Sequence, residues 1–372
     1  MINLFNAFYS DKMSDVANKT MQAGNIASGD SIRKFELALE KHLEVNNLLS
    51  VNNMTSAIAL ALDLIGIEAG DEVITTSFNC LASTSPIALL KAKAVWVDLD
   101  KNSVSMSIDD LQRKISNKTK AVILYHAAGY PSDSKRVSEI CKDYNIPFIE
   151  DCNNALFANC HDKKVGTYAD YSIYSFYPNR QINTLEGAML SIKDTEQYKQ
   201  ALKLRRFGID GATFRDGTGE INPKSQIKKI GTSINLGNIN CAIGLSQLEG
   251  LKERHDRTLD NARLLTRNLR ENKHFKIIKL KDGLEPSYWG FLVLSDFRDE
   301  LLAHLKSKGV AASKIHFRND LYEAFDSCSD DKQIHNTVQL QERILALPIG
   351  YWLIKDEISY ISNVVNEFHE SK

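Results

Sequence analysis

The sequence has no CxxC pair and no zinc-type spacing, although it carries six cysteines, Cys80, Cys141, Cys152, Cys160, Cys241 and Cys328. Thiols scattered in this way exclude a disulfide framework and a cysteine-built metal site; reduced thiols in a cytoplasmic protein are the simplest expectation. Charge of one sign is missing too. Lys and Arg number 46 against 47 Asp and Glu, for a formal net charge of -1, so no electrostatic footprint for nucleic acid is present. Apolar runs are short and interrupted, as at 58–67, and no membrane helix is expected. The first residues, Met1 to Phe8, lack a basic stretch followed by a long apolar one, so no signal peptide is expected. There is no internal repeat and no low-complexity tract. The 372 residues are 43% hydrophobic, enough for one large or two modest domains with a real core.

What is present is alternation. Helical spacing over 32–43 (Phe35, Leu39, Leu43) is followed by a short buried strand at 48–51, then by an apolar helix over 57–65 with Asn, Thr and Ser at its start. Strands are expected at 73–76, 94–97, 121–125 and 147–151, and helices at 81–92, 108–115 and 134–144. Strands and helices in turn predict an α/β domain, a mostly parallel sheet with helices on both faces, whose ligands gather at the carboxyl ends of the strands. Two more strands, 168–174 and 190–192, bracket the polar stretch Ser175 to Met189. Beyond it come a charged helix (195–206), a polar loop (208–229) and one long helical stretch (239–269). From about Phe275 the pattern becomes α+β, with a strand at 289–294, a helix at 297–308 and a terminal helix at 356–368. The expected division is a large domain over 1–240, and a long linking helix with a small C-terminal domain over 241–372.

Several positions just after expected strands carry chemistry. Asn53-Met54-Thr55 opens a helix, where free backbone N–H groups and the positive helix end attract anions; an ordinary capped helix is the alternative. Asp151 ends an apolar strand and needs a partner, either a protonated heterocyclic nitrogen or an internal cation. Ser175 and Arg180 suit a shared phosphate, or else a loop hydrogen bond and a surface arginine. Asn235, in Ser233-Ile-Asn-Leu-Gly237, is a polar ligand or a turn residue. His126 follows a strand, where a histidine is packed more often than catalytic.

Together, in this order, these segments resemble the nucleotide-sugar aminotransferase family, the DegT-type branch of fold type I pyridoxal-phosphate enzymes. The resemblance runs nearly end to end. It is carried by Ala27 to Glu36, Gly70-Asp-Glu-Val-Ile74, Val97-Asp-Leu-Asp100, Tyr125-His-Ala-Ala-Gly-Tyr-Pro131, Ile149-Glu-Asp151, Arg205-Arg-Phe-Gly208, Ala242 to Leu248, Ile315 to Asp320 and Leu347 to Trp352. It implies a large domain with a seven-stranded, mainly parallel sheet, a small C-terminal domain, and a homodimer with sites shared between chains. The implied reaction moves an amino group from glutamate to a keto sugar carried on a nucleotide, feeding surface polysaccharide or glycosylated metabolites.

The chain departs from that family at its reactive centre. The family's Ser-Phe-His-x-x-Lys reads Ser175-Phe-Tyr177-Pro-Asn179-Arg180, so the Schiff-base lysine position holds an arginine. A lysine amine releases its proton, attacks an aldehyde and shuttles protons between carbons; a guanidinium stays charged and does neither. The phosphate-loop Gly-Thr is Met54-Thr55, the ring-stacking aromatic aligns with Cys80, and the residue that touches the ring hydroxyl aligns with Asn154. Asn235-Leu-Gly237 lacks the arginine of the family's partner-chain loop. Thr55, Asp151, Ser175 and Asn235 keep their residue types. The resulting expectation is a divergent homologue on a sugar nucleotide that is not an ordinary transaminase. It either holds pyridoxal or pyridoxamine phosphate non-covalently, with Tyr177 or His126 moving protons and Arg180 pairing with an anion, or it has no cofactor. In the latter case it is a non-catalytic homologue or runs cofactor-free chemistry. No metal is expected.

Overall fold

A computed structural model describes residues 1–325, 332–370 and 372; Cys328 lies outside them. Helices α1 (Asp11–Gln22) and α2 (Asp30–Leu43) precede strand β1 (Leu48–Val51). Then come α3 (Met54–Ile65), β2 (Glu72–Thr76), α4 (Leu81–Leu89), β3 (Lys93–Val97), α5 (Ile108–Lys114), β4 (Thr119–Tyr125), α6 (Ser134–Asp143) and β5 (Phe148–Asp151). The short strands β6 (Asn159–Cys160) and β7 (Lys163–Lys164) lead to β8 (Tyr171–Ser175) and β9 (Ala188–Ile192). Seven of these strands form one sheet in the order β1-β9-β8-β5-β4-β2-β3. β9 runs antiparallel to β1 and β8, and the pairs β8–β5, β5–β4, β4–β2 and β2–β3 are parallel.

Both faces of the sheet are apolar, as parallel strands covered by helices require. Leu49, Val51, Ile123, Ile149 and Leu190 pack with Ala57, Ile58 and Ala61 of α3 on one face. Ile74, Val122, Leu124 and Phe148 pack with Val137 and Ile140 of α6 on the other. α3 starts where Asn53 Oδ1 accepts from Ser56 N at 2.9 Å and stops at Gly66, whose φ of 84° suits a residue without Cβ. β8 begins three residues later than the sequence suggests. The reason is specific: the backbone N–H groups of Tyr168 and Ala169 donate to the Glu150 carboxylate (3.2 and 3.1 Å) rather than to a ladder.

Past α7 (Thr195–Leu204) the chain reaches α8 (Asn238–Ser246) and α9 (Leu251–Asn268). The single long helix expected over 239–269 is therefore two helices. Gly250 breaks it with φ 71°, and the Gln247 side chain donates to Ile243 O (3.0 Å) and accepts from Asn183 N (3.1 Å). α8 packs on α1 and α2 of the first body, whereas α9 packs on the last helix. The remaining elements are β10 (Phe275–Ile277), β11 (Leu284–Glu285), β12 (Phe291–Ser295), α10 (Arg298–Ser307), α11 (His335–Arg343), β13 (Ile344–Leu347) and α12 (Lys355–Glu370). β10, β12 and β13 make a three-stranded antiparallel sheet whose core includes Leu265, Leu301, Ile358 and Ile361. Among the described residues no helix is long and apolar enough to cross a membrane.

Candidate active site at the carboxyl ends of β4, β5 and β8

Parallel register brings the site together. Tyr125 stands opposite Asp151 across β4 and β5, and Asp151 opposite Ile173 across β5 and β8. Residues paired in this way face the same side, and their chain neighbours face the other. Tyr125 and Asp151 thus share one face. Glu150 takes the other face, and His126 lies beside it.

Asp151 is fully buried. Its Oδ2 accepts from Ser83 Oγ at 2.5 Å; its Oδ1 accepts from Asn153 N at 3.1 Å and Asn153 Nδ2 at 3.0 Å. Burial raises its pKa, and these three donors oppose that rise. Asn153 also joins the carboxylate to the cation, because its Oδ1 accepts from Arg180 Nη2 at 3.1 Å. The other terminal nitrogen of Arg180 donates to Asn179 Oδ1, and the guanidinium lies 5.1 Å from the Trp289 ring centroid. Trp289 is itself oriented by donating Nε1 to Asn179 O at 3.0 Å. Arg180 is thereby fixed inward. Burial lowers its pKa, against the fields of Tyr125, Cys80, Asp151 and Tyr177.

The same fields locate the other residues. Cys80, at the N-cap of α4, has its thiol pushed up by burial and by Asp151 and pulled down by Arg180. Asn154 is buried and donates Nδ2 to Tyr125 Oη at 2.9 Å, while its Oδ1 has no partner among the described residues. Tyr125 Oη also meets His316 Nε2 at 2.8 Å. His316 comes from the small domain. Burial first, and Arg180 second, lower its pKa to about 4, so it is neutral at pH 7. Its segment is held by Asn319, which donates N to Ser77 O (2.8 Å) and Nδ2 to Thr84 Oγ1 (2.8 Å).

The residues expected from the sequence do not all meet. Arg180, Asp151, Cys80 and Asn154 do. Ser175 Oγ accepts from Tyr177 N at 3.4 Å, and Tyr177 is 48% exposed. Met54 is buried in the sheet core at the first turn of α3, and Thr55 is half-buried beside it. His126 stands apart. Its Nε2 meets Glu150 Oε1 at 3.2 Å and its Nδ1 accepts from Ser132 N at 3.1 Å, so both ring nitrogens are engaged on the far face of the sheet. Asn235 is exposed, bridges to Val51, and lines a separate cavity with Arg205 and Gly237. The sequence reading passed over Tyr125, Asn153, Ser83, His316 and Trp289. Strand alternation is a signal that favours Tyr125 over His126, since Tyr125 is in step with Asp151. His316 lies in the Ile315 to Asp320 segment that carries the resemblance, but nothing there marks it as a site residue, and nothing local marks Trp289.

These residues do not fit a covalently linked pyridoxal phosphate. The position that would supply the amine holds a guanidinium, which cannot form an imine and is already fixed by Asn153, Asn179 and Trp289.

A seven-stranded, mainly parallel sheet with its polar groups at these strand ends defines a fold type I aminotransferase-like protein. The DegT/DnrJ/EryC1/StrS aminotransferase family matches residues 9–366, and the chain belongs to it. It is 30% identical to GDP-perosamine synthase of Escherichia coli O157:H7 over 376 aligned positions, covering 100% of this chain and 99% of that one. It is 28% identical to UDP-4-amino-4,6-dideoxy-N-acetyl-beta-L-altrosamine transaminase of Campylobacter jejuni, over 82% of this chain and 80% of the other. The crystal structure of the sugar aminotransferase CalS13 from Micromonospora echinospora superposes with a TM-score of 0.92 at 26% identity, covering 99% of this chain and 100% of that one.

Proposed function

We propose that this chain acts on, or binds, a nucleotide sugar in surface-polysaccharide or sugar-nucleotide metabolism, without lysine-dependent transamination. The observation that carries the reading is the fixed guanidinium of Arg180, joined to Asp151 through Asn153. A group held on two neutral acceptors and an aromatic face, and permanently charged, serves as an electrostatic anchor rather than as a nucleophile or proton shuttle. Family membership supports the nucleotide-sugar class of ligand, and the scattered cysteines, unbridged among the described residues, support a reducing, cytoplasmic setting. The exposed Asn235, which lines a cavity that Arg180 does not, supports a homodimer in which that loop serves a second copy.

The test is an absorption spectrum and an intact mass of the purified protein, before and after pyridoxal phosphate and borohydride. The expected result is no reduced adduct and no turnover of a keto sugar with glutamate. A stable adduct together with such turnover would sink the reading.

A second reading rests on a specific observation. Asn154 Oδ1 is buried without a partner at the position that the resemblance assigns to a cofactor hydroxyl, and Thr55 and Ser175 keep their types. In that reading pyridoxamine or pyridoxal phosphate binds non-covalently. A saturable spectral change on adding the cofactor, with no mass increase after borohydride, separates it from the first.

A further inference from the structure

Arg180 also lines a cavity of about 40 Å³ whose walls are drawn from segments between Asn6 and Trp352 and do not include Asp151. Among the described residues its walls include two arginines, Arg180 and Arg254, and no Asp or Glu. The two are held alike. Both terminal nitrogens of Arg254 donate to neutral carbonyls, Gln247 O at 2.8 Å and Glu249 O at 3.5 Å, and its Cζ lies 3.8 Å from the Phe8 ring centroid. Neither guanidinium has a carboxylate within 4.0 Å among the described residues, and burial lowers the pKa of both.

Among the described residues the Nε of each arginine is buried without a partner, and so are Trp352 Nε1, Ser287 Oγ and Tyr351 Oη on the same walls. Buried polar groups are nearly always paired, and an arginine Nε or an indole nitrogen can only donate. Gln181 Oε1 and His255 Nδ1 complete the set of orphaned atoms there. The volume admits a few waters at about 10–15 Å³ each. Water satisfies donors but does not neutralise two half-buried cations.

We propose that this cavity binds a compact oxyanion, a carboxylate or phosphate group, between Arg180 and Arg254. The proposal deepens the reading of Arg180 as a fixed cation and rests on it. The oxyanion comes either from a free small acid or from the phosphates of a nucleotide ligand. Both offer the planar or tetrahedral oxygens that a guanidinium fork matches, and Trp289, Tyr351 and Trp352 flank the remainder of the guest.

The wall carries its own reporters. Of the three tryptophans, Trp289 and Trp352 line the cavity, while Trp96 is buried in the main sheet core. Intrinsic fluorescence is titrated separately with malonate, inorganic phosphate and GDP in chloride-free buffer. A saturable change is expected, weakened at least about tenfold by Arg254→Gln and less by Arg254→Lys, which keeps the charge without the fork. Saturation by malonate or phosphate supports a free acid; saturation by GDP alone supports a nucleotide phosphate. No saturable change with any of the three, or unchanged affinity in both Arg254 variants, overturns the proposal. Should Arg254→Gln fail to fold, Trp352→Phe removes one donor and keeps a ring, and the same comparison holds with a several-fold loss. Malonate binding is read without turnover or borohydride, so its failure is distinguishable from failure of the proposed function.

Discussion

Glu150 and Asp151 are consecutive on β5, both fully buried, and they face opposite sides of one sheet. Glu150 is tied off by its own fold: Ser134 Oγ at 2.5 Å, His126 Nε2 at 3.2 Å and the backbone N–H groups of Tyr168 and Ala169. Every one of those partners is structural, and His126 has no spare nitrogen. Asp151 also has donors enough, yet among the described residues its neighbourhood keeps unspent capacity, a half-buried cation with no carboxylate of its own and a side-chain oxygen of Asn154 with no partner. The difference separates a carboxylate that closes loops from one that organises a site. Burial and charge are the same in both cases; what differs is whether anything nearby is left unsatisfied.

The largest effect should follow from breaking the closed side. Glu150→Ala leaves Ser134, His126 and two backbone N–H groups buried and unpaired, and is expected to cost about 3–5 kcal/mol of unfolding free energy in a denaturant titration. If the loss is below 1 kcal/mol, the contrast between the two faces is wrong.

Next in size is a pH effect on the open side. The folded-state pKa of His316 is lowered to about 4 from an ordinary 6.5. As pH falls through that window the unfolded chain takes up a proton that the folded one refuses, so stability is lost between about 6.5 and 4 and fully present above 6.5. Roughly 1–3 kcal/mol rides on this group. His316→Gln should flatten that part of the stability profile, while His369, whose pKa is likewise lowered to about 4 by burial, leaves a residual slope.

Removing the aromatic face under the guanidinium is a smaller change. Trp289→Leu should cost about 0.5–2 kcal/mol of stability and loosen Arg180. A wild-type unfolding midpoint in this variant would show that Asn153 and Asn179 hold the cation alone. The smallest expected effect is on activity: Arg180→Lys should leave keto-sugar transamination undetectable, because Met54 and Cys80 still stand where a loop glycine and a ring platform are expected. Appearance of product with glutamate in that variant would reduce the difference between this site and a working one to a single side chain.

Much of the sheet was legible beforehand. β1 and the starts of α4 through α6 lie where the alternation of apolar and polar runs puts them, since that signal is local. Asn53 and Ser107 each accept from the backbone three residues on, as N-caps should. The break at Gly250 was missed because apolar positions continue in phase across it, and its positive φ is seen only in three dimensions. Within the site, Asp151 and Arg180 could be picked out because chemistry is written in residue type. His126 misled for the same reason: a titratable ring is conspicuous in a sequence, but which face it takes depends on strand register.

The sequence by itself determined the α/β alternation, the likeness to a family, and the absence of a lysine after Ser175-Phe176. Each of these is a property of residue identity and short-range spacing. Only the tertiary structure decided that Arg180 turns inward and reaches Asp151 through Asn153. Only it decided, too, that His316 and Trp289 come from the small domain to close the site. The Arg180–Asn153 contact spans 27 residues, and those made by His316 and Trp289 span over a hundred; which of them form is set by packing and by the need to satisfy buried polar groups, which no local pattern records.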